Sequence, residues 1–407
     1  MGYKQKSNLS EKIYIIKRKG KAFLHSLPYY ICRVFPIHPQ KVVMWTFECN
    51  GGYGCSPKYI AEEILKRNRE GKTKYQVVWL LNNMEKEFPK EIKKVKNTLW
   101  SRAYHLSTAG IWIGNTRTSY GTRKRKNQCY IQTWHSTIAI KPIGKYRGSM
   151  FPKIAYLVSK YDSGLIDYVL SGSTWCEHMY RDGLLYQGEM IRTGTPRCDV
   201  LFNQKKEKRQ EIRKKYHLPK EANILLYAPT FRGGSQKGKR SVNVEKITID
   251  FEQLLVTLEK KFGGEWYLFL RLHPQLAAKK KKAEIQKRPK KLIDVSQMED
   301  MNEIIAGVDI FVTDYSSAIF EAAMAGLLGF IYADDLKEYI HDRGNLFFDI
   351  DILPFPAAFD NEGLMENILV FDKELYERKW KGFAEKTGIC EDGHASERVV
   401  DWIVNSK

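Results

Sequence analysis

From residue 41 onward the hydrophobic and polar positions repeat one order: a short apolar run, a turn, then an amphipathic stretch. Residues 42–47 are a compact apolar run, Asn50-Gly51-Gly52-Tyr53-Gly54 is a flexible turn, and residues 57–67 carry helical spacing. Apolar runs at 75–81, 111–115 and 130–133 predict further strands. A second series follows at 224–228, 266–272, 292–295, 310–313 and 329–332. Strands alternating with helices predict parallel βαβ units, so the expected class is α/β, with two Rossmann-like doubly wound domains facing a cleft. Ligands of such domains sit at the carboxyl ends of the strands.

A chain of 407 residues agrees with two domains. The expected division is a basic amphipathic N-terminal segment at 1–40, an N-terminal α/β domain on the acceptor side at 41–205, a charged linker at 206–222, and a C-terminal donor-binding α/β domain at 223–407. The last helix is a candidate to pack back on the N-terminal domain. In the first segment, Ile13, Tyr14, Ile15 and Ile16 precede Lys17, Arg18, Lys19 and Lys21, and Phe23, Leu24, Leu27, Tyr29, Tyr30 and Ile31 follow. That interleaving fits a helix lying on anionic headgroups, and it equally fits a helix packed on the first domain. Residues 204–217 are so charged that an exposed helix or linker is expected there. The lysines at 279–282 and 290–291 predict a solvated helix face.

The longest apolar stretch, 318–333, spans 16 residues and carries Glu321 and two glycines, too short and too polar to cross a bilayer. It predicts a buried helix running into a strand. No signal-peptide apolar region is evident at the N-terminus, so a soluble or peripheral protein is expected. The seven cysteines form no CxxC pair, which argues against a disulfide framework or zinc site and suits a reducing cytoplasm. A formal net charge of +20 points to a polyanionic partner, whether lipid, phosphorylated substrate or nucleic acid. No DNA- or RNA-binding motif accompanies it, so nucleic acid is set aside.

Five segments at strand ends carry candidate chemistry. Gln132-Thr133-Trp134-His135-Ser136-Thr137 places a histidine among hydroxyls and an indole, suited to a general base. Thr193-Gly194-Thr195-Pro196-Arg197-Cys198-Asp199 forces a tight turn that presents Arg197, which suits bidentate phosphate contact or a carboxylate partner. Leu226-Tyr227-Ala228-Pro229-Thr230-Phe231-Arg232-Gly233-Gly234 opens a strand into a glycine-rich loop. Leu270-Arg271-Leu272-His273-Pro274 sets Arg271 and His273 on one face of a strand end. Val312-Thr313-Asp314-Tyr315-Ser316-Ser317-Ala318 puts Ser316 and Ser317 at a helix N-terminus, as phosphate ligands or as a plain cap.

In this order the segments resemble the CDP-glycerol glycerophosphotransferase family of teichoic-acid and capsule biosynthesis, with its WHGT, G-x-PR-x-D, YAPT-x-R, RLHP and TDYSS motifs. The tail Glu391-Asp392-Gly393-His394-Ala395-Ser396-Glu397-Arg398 resembles the family's closing segment. The resemblance implies a GT-B-like transferase with His135 as base and His273 as the second essential histidine. It implies donor contacts at Trp134, Ser136, Thr137, Arg197, Pro229, Thr230, Arg232, Arg271, Leu272, Ser316, Ser317 and Glu321. The family glycine after the histidine is Ser136 here, and a family aspartate is Glu321.

The implied reaction moves a polyol phosphate from CDP-glycerol or another CDP-polyol to a polyprenyl-diphosphate-linked saccharide or polyol-phosphate polymer, releasing CMP. The expected place is the cytoplasmic face of the plasma membrane, peripherally on an anionic surface. No cofactor is required by this reading and no metal ligand is assigned; Mg2+ is an open addition. Asp349-Ile350-Asp351 lies in an apolar run and reads as structural. A sugar-nucleotide glycosyltransferase with the same two-domain plan is the alternative, separated by UDP rather than CMP release.

Overall fold

A computed structural model of the chain describes residues 9–230, 232, 246–272, 284–285 and 289–406. His273, Gly233, Gly234 and the lysines at 279–282 lie outside the described residues.

The first sheet is built from β1 (His38–Trp45), β2 (Gln76–Leu81), β3 (Lys93–Lys96), β4 (Ala109–Gly114), β5 (Cys129–Gln132), β6 (Tyr168–Ser171) and β7 (Glu189–Arg192). Its seven strands run in the order β3-β2-β1-β4-β5-β6-β7, all parallel. The second contains β8 (Asn223–Tyr227), β10 (Trp266–Leu270), β12 (Leu292–Asp294), β13 (Ile310–Thr313), β14 (Leu328–Tyr332) and β15 (Ala357–Ala358). These are parallel in the order β12-β10-β8-β13-β14-β15. A separate two-stranded ladder joins β9 (Lys246–Ile247) to β11 (Glu284–Ile285).

Parallel strands are buried on both faces, and successive side chains point to opposite sides. Val43, Trp45, Val78 and Trp112 therefore enter one core, while Val42, Met44, Val77 and Ile111 enter the core on the other face. The second sheet repeats this, with Leu226 and Phe311 on one face and Leu225 and Val312 on the other. The class expected from the alternating runs is the class observed, two doubly wound α/β sheets.

Helices cover both sheets. They are α1 (Leu9–Ile31), α2 (Cys55–Arg69), α3 (Leu99–Thr108), α4 (Lys153–Ser163), α5 (Thr174–Gly183), α6 (Asp199–Asn203) and α7 (Lys205–Lys215), then α8 (Phe251–Phe262), α9 (Met301–Gly307), α10 (Ala318–Met324), α11 (Leu336–Arg343), α12 (Asn361–Leu369), α13 (Lys373–Thr387) and α14 (Ala395–Asn405). Val399, Val400 and Ile403 of α14 are buried with Met44 and Ile113 of the first sheet. Asp199 accepts hydrogen bonds from the Ala395 and Ser396 amides at 3.0 and 2.8 Å, closing the N-terminus of α14.

Residues 204–217, expected as an exposed helix or linker, are largely α7, whose Ile212 is buried in the second domain's core and whose Arg213 donates to the Ala222 and Gly307 carbonyls. The short strands β3, β6, β7 and β15 were not expected: β3 and β7 are charged or only half-buried, and the apolar β6 and β15 are four and two residues long. The 318–333 stretch divides into α10 and β14, as anticipated.

α1 carries Ile15, Ala22 and Tyr29 along one buried stripe and leaves Ile13, Ile16, Phe23 and Leu24 exposed. Among the described residues, no helix is long and apolar enough to cross a membrane.

Candidate active site

A cleft of about 1150 Å³ lies where the carboxyl ends of the two sheets meet. From the first domain it is lined by Thr116, Arg117, Trp134 and Lys141, and from the second by Ala228, Pro229, Thr230, Arg271 and Ser316. Each follows a strand, so the sheets fix the spacing of groups far apart in the chain.

His135 sits in the loop after β5. Its Nδ1 is 2.9 Å from the carbonyl oxygen of Asn115, in the loop after β4. The ring packs on Trp134 with centroids 4.4 Å apart and meets the edge of Phe47 at 5.8 Å. Trp134 holds a left-handed φ of +49°, uncommon for a bulky residue. Arg117 covers the indole, 5.4 Å from the ring centroid. Burial lowers the imidazole pKa to about 4; the Asn115 carbonyl opposes this, while Arg197, Lys141 and Arg117 add to it. At neutral pH the ring is uncharged.

On the second domain, Asp314 organises the loop after β8. It accepts from the Thr230 amide at 2.8 Å and the Tyr315 amide at 2.5 Å. It also pairs with Arg232 at 2.7 Å. Thr230 Oγ1 is buried and has no hydrogen-bond partner among the described residues, as is Arg271 Nε. Ser316 Oγ accepts from the Ala318 amide at 3.4 Å, so it acts as a local cap at α10 while facing the cleft.

Of the residues expected to contact the donor, Trp134, Pro229, Thr230, Arg271 and Ser316 line the cleft. Seven others are turned elsewhere. Arg197 forms a buried ion pair with Glu321, which takes both from the cleft. Thr137 donates to Glu391 at 2.8 Å and shares a 2.9 Å contact with Thr195. Arg232 is held by Asp335 at 2.6 and 2.8 Å, besides Asp314. The Leu272 amide donates to Ser296 Oγ at 2.8 Å, with its side chain in the core. Ser136 is buried and gives its carbonyl to the Tyr180 hydroxyl. Ser317 makes no capping bond and does not line the cleft.

Sequence reasoning did not single out Arg117, Asn115, Lys141 or Asp314. Arg117 and Asn115 follow a predicted strand end and Asp314 stands inside a quoted motif, so position alone could have raised them. No run of residues marks Lys141. Asp349 begins the short turn at Ile350–Ile352, whose first residue is buried.

The domains are stitched at this level. The Cys55 amide donates to Asp300 at 3.0 Å, Lys58 to Glu303 at 2.7 Å, and Asn302 to the Arg197 carbonyl at 2.9 Å.

Two parallel α/β sheets sharing one cationic cleft at their strand ends define a two-domain, GT-B-like protein. The chain belongs to the CDP-Glycerol:Poly(glycerophosphate) glycerophosphotransferase family, whose model matches residues 29–405. It is 29% identical over 383 residues to a teichoic acid poly(glycerol phosphate) polymerase of Staphylococcus epidermidis, spanning 90% of this chain and 51% of that protein. It is 24% identical over 402 residues to a protein of the same description from Bacillus spizizenii, spanning 95% of this chain and 98% of the relative. The solved wall teichoic acid polymerase TagF superposes with a TM-score of 0.79 at 24% identity, covering 98% of both chains. At this identity the likeness is one of fold.

Proposed function

We propose that the protein transfers glycerol phosphate, or a related polyol phosphate, from a CDP-activated donor to a teichoic acid or capsular polymer acceptor and releases CMP. The observation that carries this reading is His135, with Nδ1 2.9 Å from the Asn115 carbonyl and its ring packed on Trp134, beside a cleft lined by Arg117, Lys141 and Arg271. Nε2 of His135 takes the proton of the acceptor's terminal hydroxyl. The alkoxide oxygen attacks the β-phosphorus of the donor, forming the new P–O bond. The bond from that phosphorus to the bridging oxygen breaks, and CMP leaves with the electron pair. Arg271, the Thr230 hydroxyl and Ser316 stabilise charge on the pyrophosphate. His273 is assigned to the leaving group from the family pattern.

The charge neutralisation is assigned to side chains, and the response to Mg2+ and EDTA tests whether an ion adds to it. The proposed setting is the inner face of the plasma membrane, held peripherally through the exposed apolar residues of α1, with a lipid-linked acceptor. The test is CMP release from CDP-glycerol and CDP-ribitol with that acceptor. Near-normal release by folded His135→Ala and His273→Ala variants overturns the mechanism. UDP release from a sugar nucleotide in place of CMP release overturns the donor class.

A further inference from the structure

The cleft is longer than its donor end requires. Ligand pockets commonly hold about 300–1,000 Å³, whereas this one reaches about 1150 Å³ and runs on between α1 and α4. Tyr14, Arg18, Lys21 and His25 stand on a single face of α1 at helical spacing and line that arm. Ile154 and Val158 of α4 line it as well. This face adjoins the packed stripe of Ile15, Ala22 and Tyr29, with Ala22 also lining the cleft, and lies away from the exposed Ile13, Ile16 and Leu24.

The arm is cationic without matching acids. Among the described residues that line the cleft, Glu48 is the sole carboxylate. Arg18 Nε is buried without a hydrogen-bond partner among the described residues. No ion pair involves Arg18 or Lys21 among them. Burial, then the charges of Lys21 and Arg18, lower the His25 pKa, consistent with three basic groups crowded on one wall. A ligand matching such a wall alternates anionic groups with short carbon segments. A polyol-phosphate chain has that chemistry, with a phosphodiester charge at every repeat.

We propose that the arm between α1 and α4 is the acceptor track, with Arg18 and Lys21 holding phosphodiesters of the growing chain and Ile154 and Val158 packing on its polyol carbons. The track leads past Arg117 to Trp134, the neighbour on which the His135 ring packs. It rests on the reading above that the acceptor is a polyol-phosphate polymer.

The test is binding of synthetic, fluorescently labelled glycerol-phosphate oligomers of increasing length to the full chain, without vesicles. The wild type is expected to bind longer oligomers more tightly. In Arg18→Gln/Lys21→Gln, longer oligomers should lose about 10-fold or more in affinity, since hydrogen bonds to charged groups contribute strongly. Dependence on length should also flatten. Val158→Asp, which adds a negative charge to the opposite wall, should produce the same loss if the first variant misfolds. Unchanged affinity and length dependence in folded variants overturn the track. So does a defect confined to sedimentation with anionic vesicles, which would assign Arg18 and Lys21 to lipid. If the wild type releases no CMP from any CDP-polyol but the length-dependent binding and its loss persist, the proposed reaction falls and the track stands.

Discussion

The Nδ1 atom of His135 lies 2.9 Å from the backbone carbonyl oxygen of Asn115. A carbonyl oxygen can only accept, so Nδ1 carries the proton and Nε2 keeps its lone pair. The loop after one strand thereby sets the tautomer of a residue in the loop after its neighbour. In the proposed role of base, a ring in this state needs no proton loss before it acts.

The pH profile should reflect this. Burial depresses the imidazole pKa to about 4, so the base form is full at neutral pH and is lost as pH falls through that value. The kcat/KM for CMP release should stay level from about pH 5 to 7, wherever the protein remains folded. An acid limb near the ordinary histidine value of ~6.5, absent from His135→Gln, would contradict the assignment. His135→Ala should lower kcat by about 100- to 10,000-fold.

Arg197 and Glu321 form an ion pair whose side chains are 12% and 2% exposed. Removing one partner leaves the other charge uncompensated in the interior, so Glu321→Ala should destabilise the protein by about 3–5 kcal/mol. Adding Arg197→Ala to that variant should recover part of the loss. Denaturant melts of the two single variants and the double variant measure the coupling; simple additivity would contradict a direct pair.

Asp314 supports the Thr230 amide and Arg232 together. Asp314→Asn weakens both and should loosen the loop that presents Thr230 to the cleft. The KM for the CDP-polyol should rise by about 10-fold, in line with the loss of charge-assisted hydrogen bonds. An unchanged KM would show that the loop holds without the carboxylate.

Glu391 accepts from Thr137 at 2.8 Å and from the Thr195 amide at 2.8 Å, and burial raises its pKa to about 7. The folded state therefore binds the proton more tightly than the unfolded chain. Its contribution to stability is full below the usual carboxylate range and is lost as pH rises through about 7. Glu391→Gln should be more stable than the wild type at pH 8 by about 1–3 kcal/mol and differ little at pH 4. Thermal melts at the two values check the sign.

Ile16 and Leu24 are 68% and 61% exposed on α1 and do not line the cleft. Ile16→Ser/Leu24→Ser should reduce sedimentation with anionic vesicles while CMP release with a vesicle-free acceptor continues. Full retention on vesicles would remove this surface from the membrane contact.

The sequence by itself determined the two α/β series, because buried parallel strands such as 42–45 and 310–313 must be apolar on both faces and so stand out as runs. It also marked the strand-end segments that hold His135, Thr230, Arg271 and Ser316, since glycine, proline and hydroxyl residues interrupt those runs. Charged β3 and half-buried β7 carried no such pattern, as an edge strand needs little apolar surface. Only the tertiary structure decided which marked residues meet. Arg197 and Glu321 lie 124 positions apart and pair because two separate sheets bring their strand ends together. Thr137 finds Glu391 across 254 positions because the segment ahead of α14 returns to the first domain, where Glu391 also accepts from the Thr195 amide. The choice of partner for a polar side chain depends on which other groups share its desolvated surroundings, and that is fixed only when the domains pack.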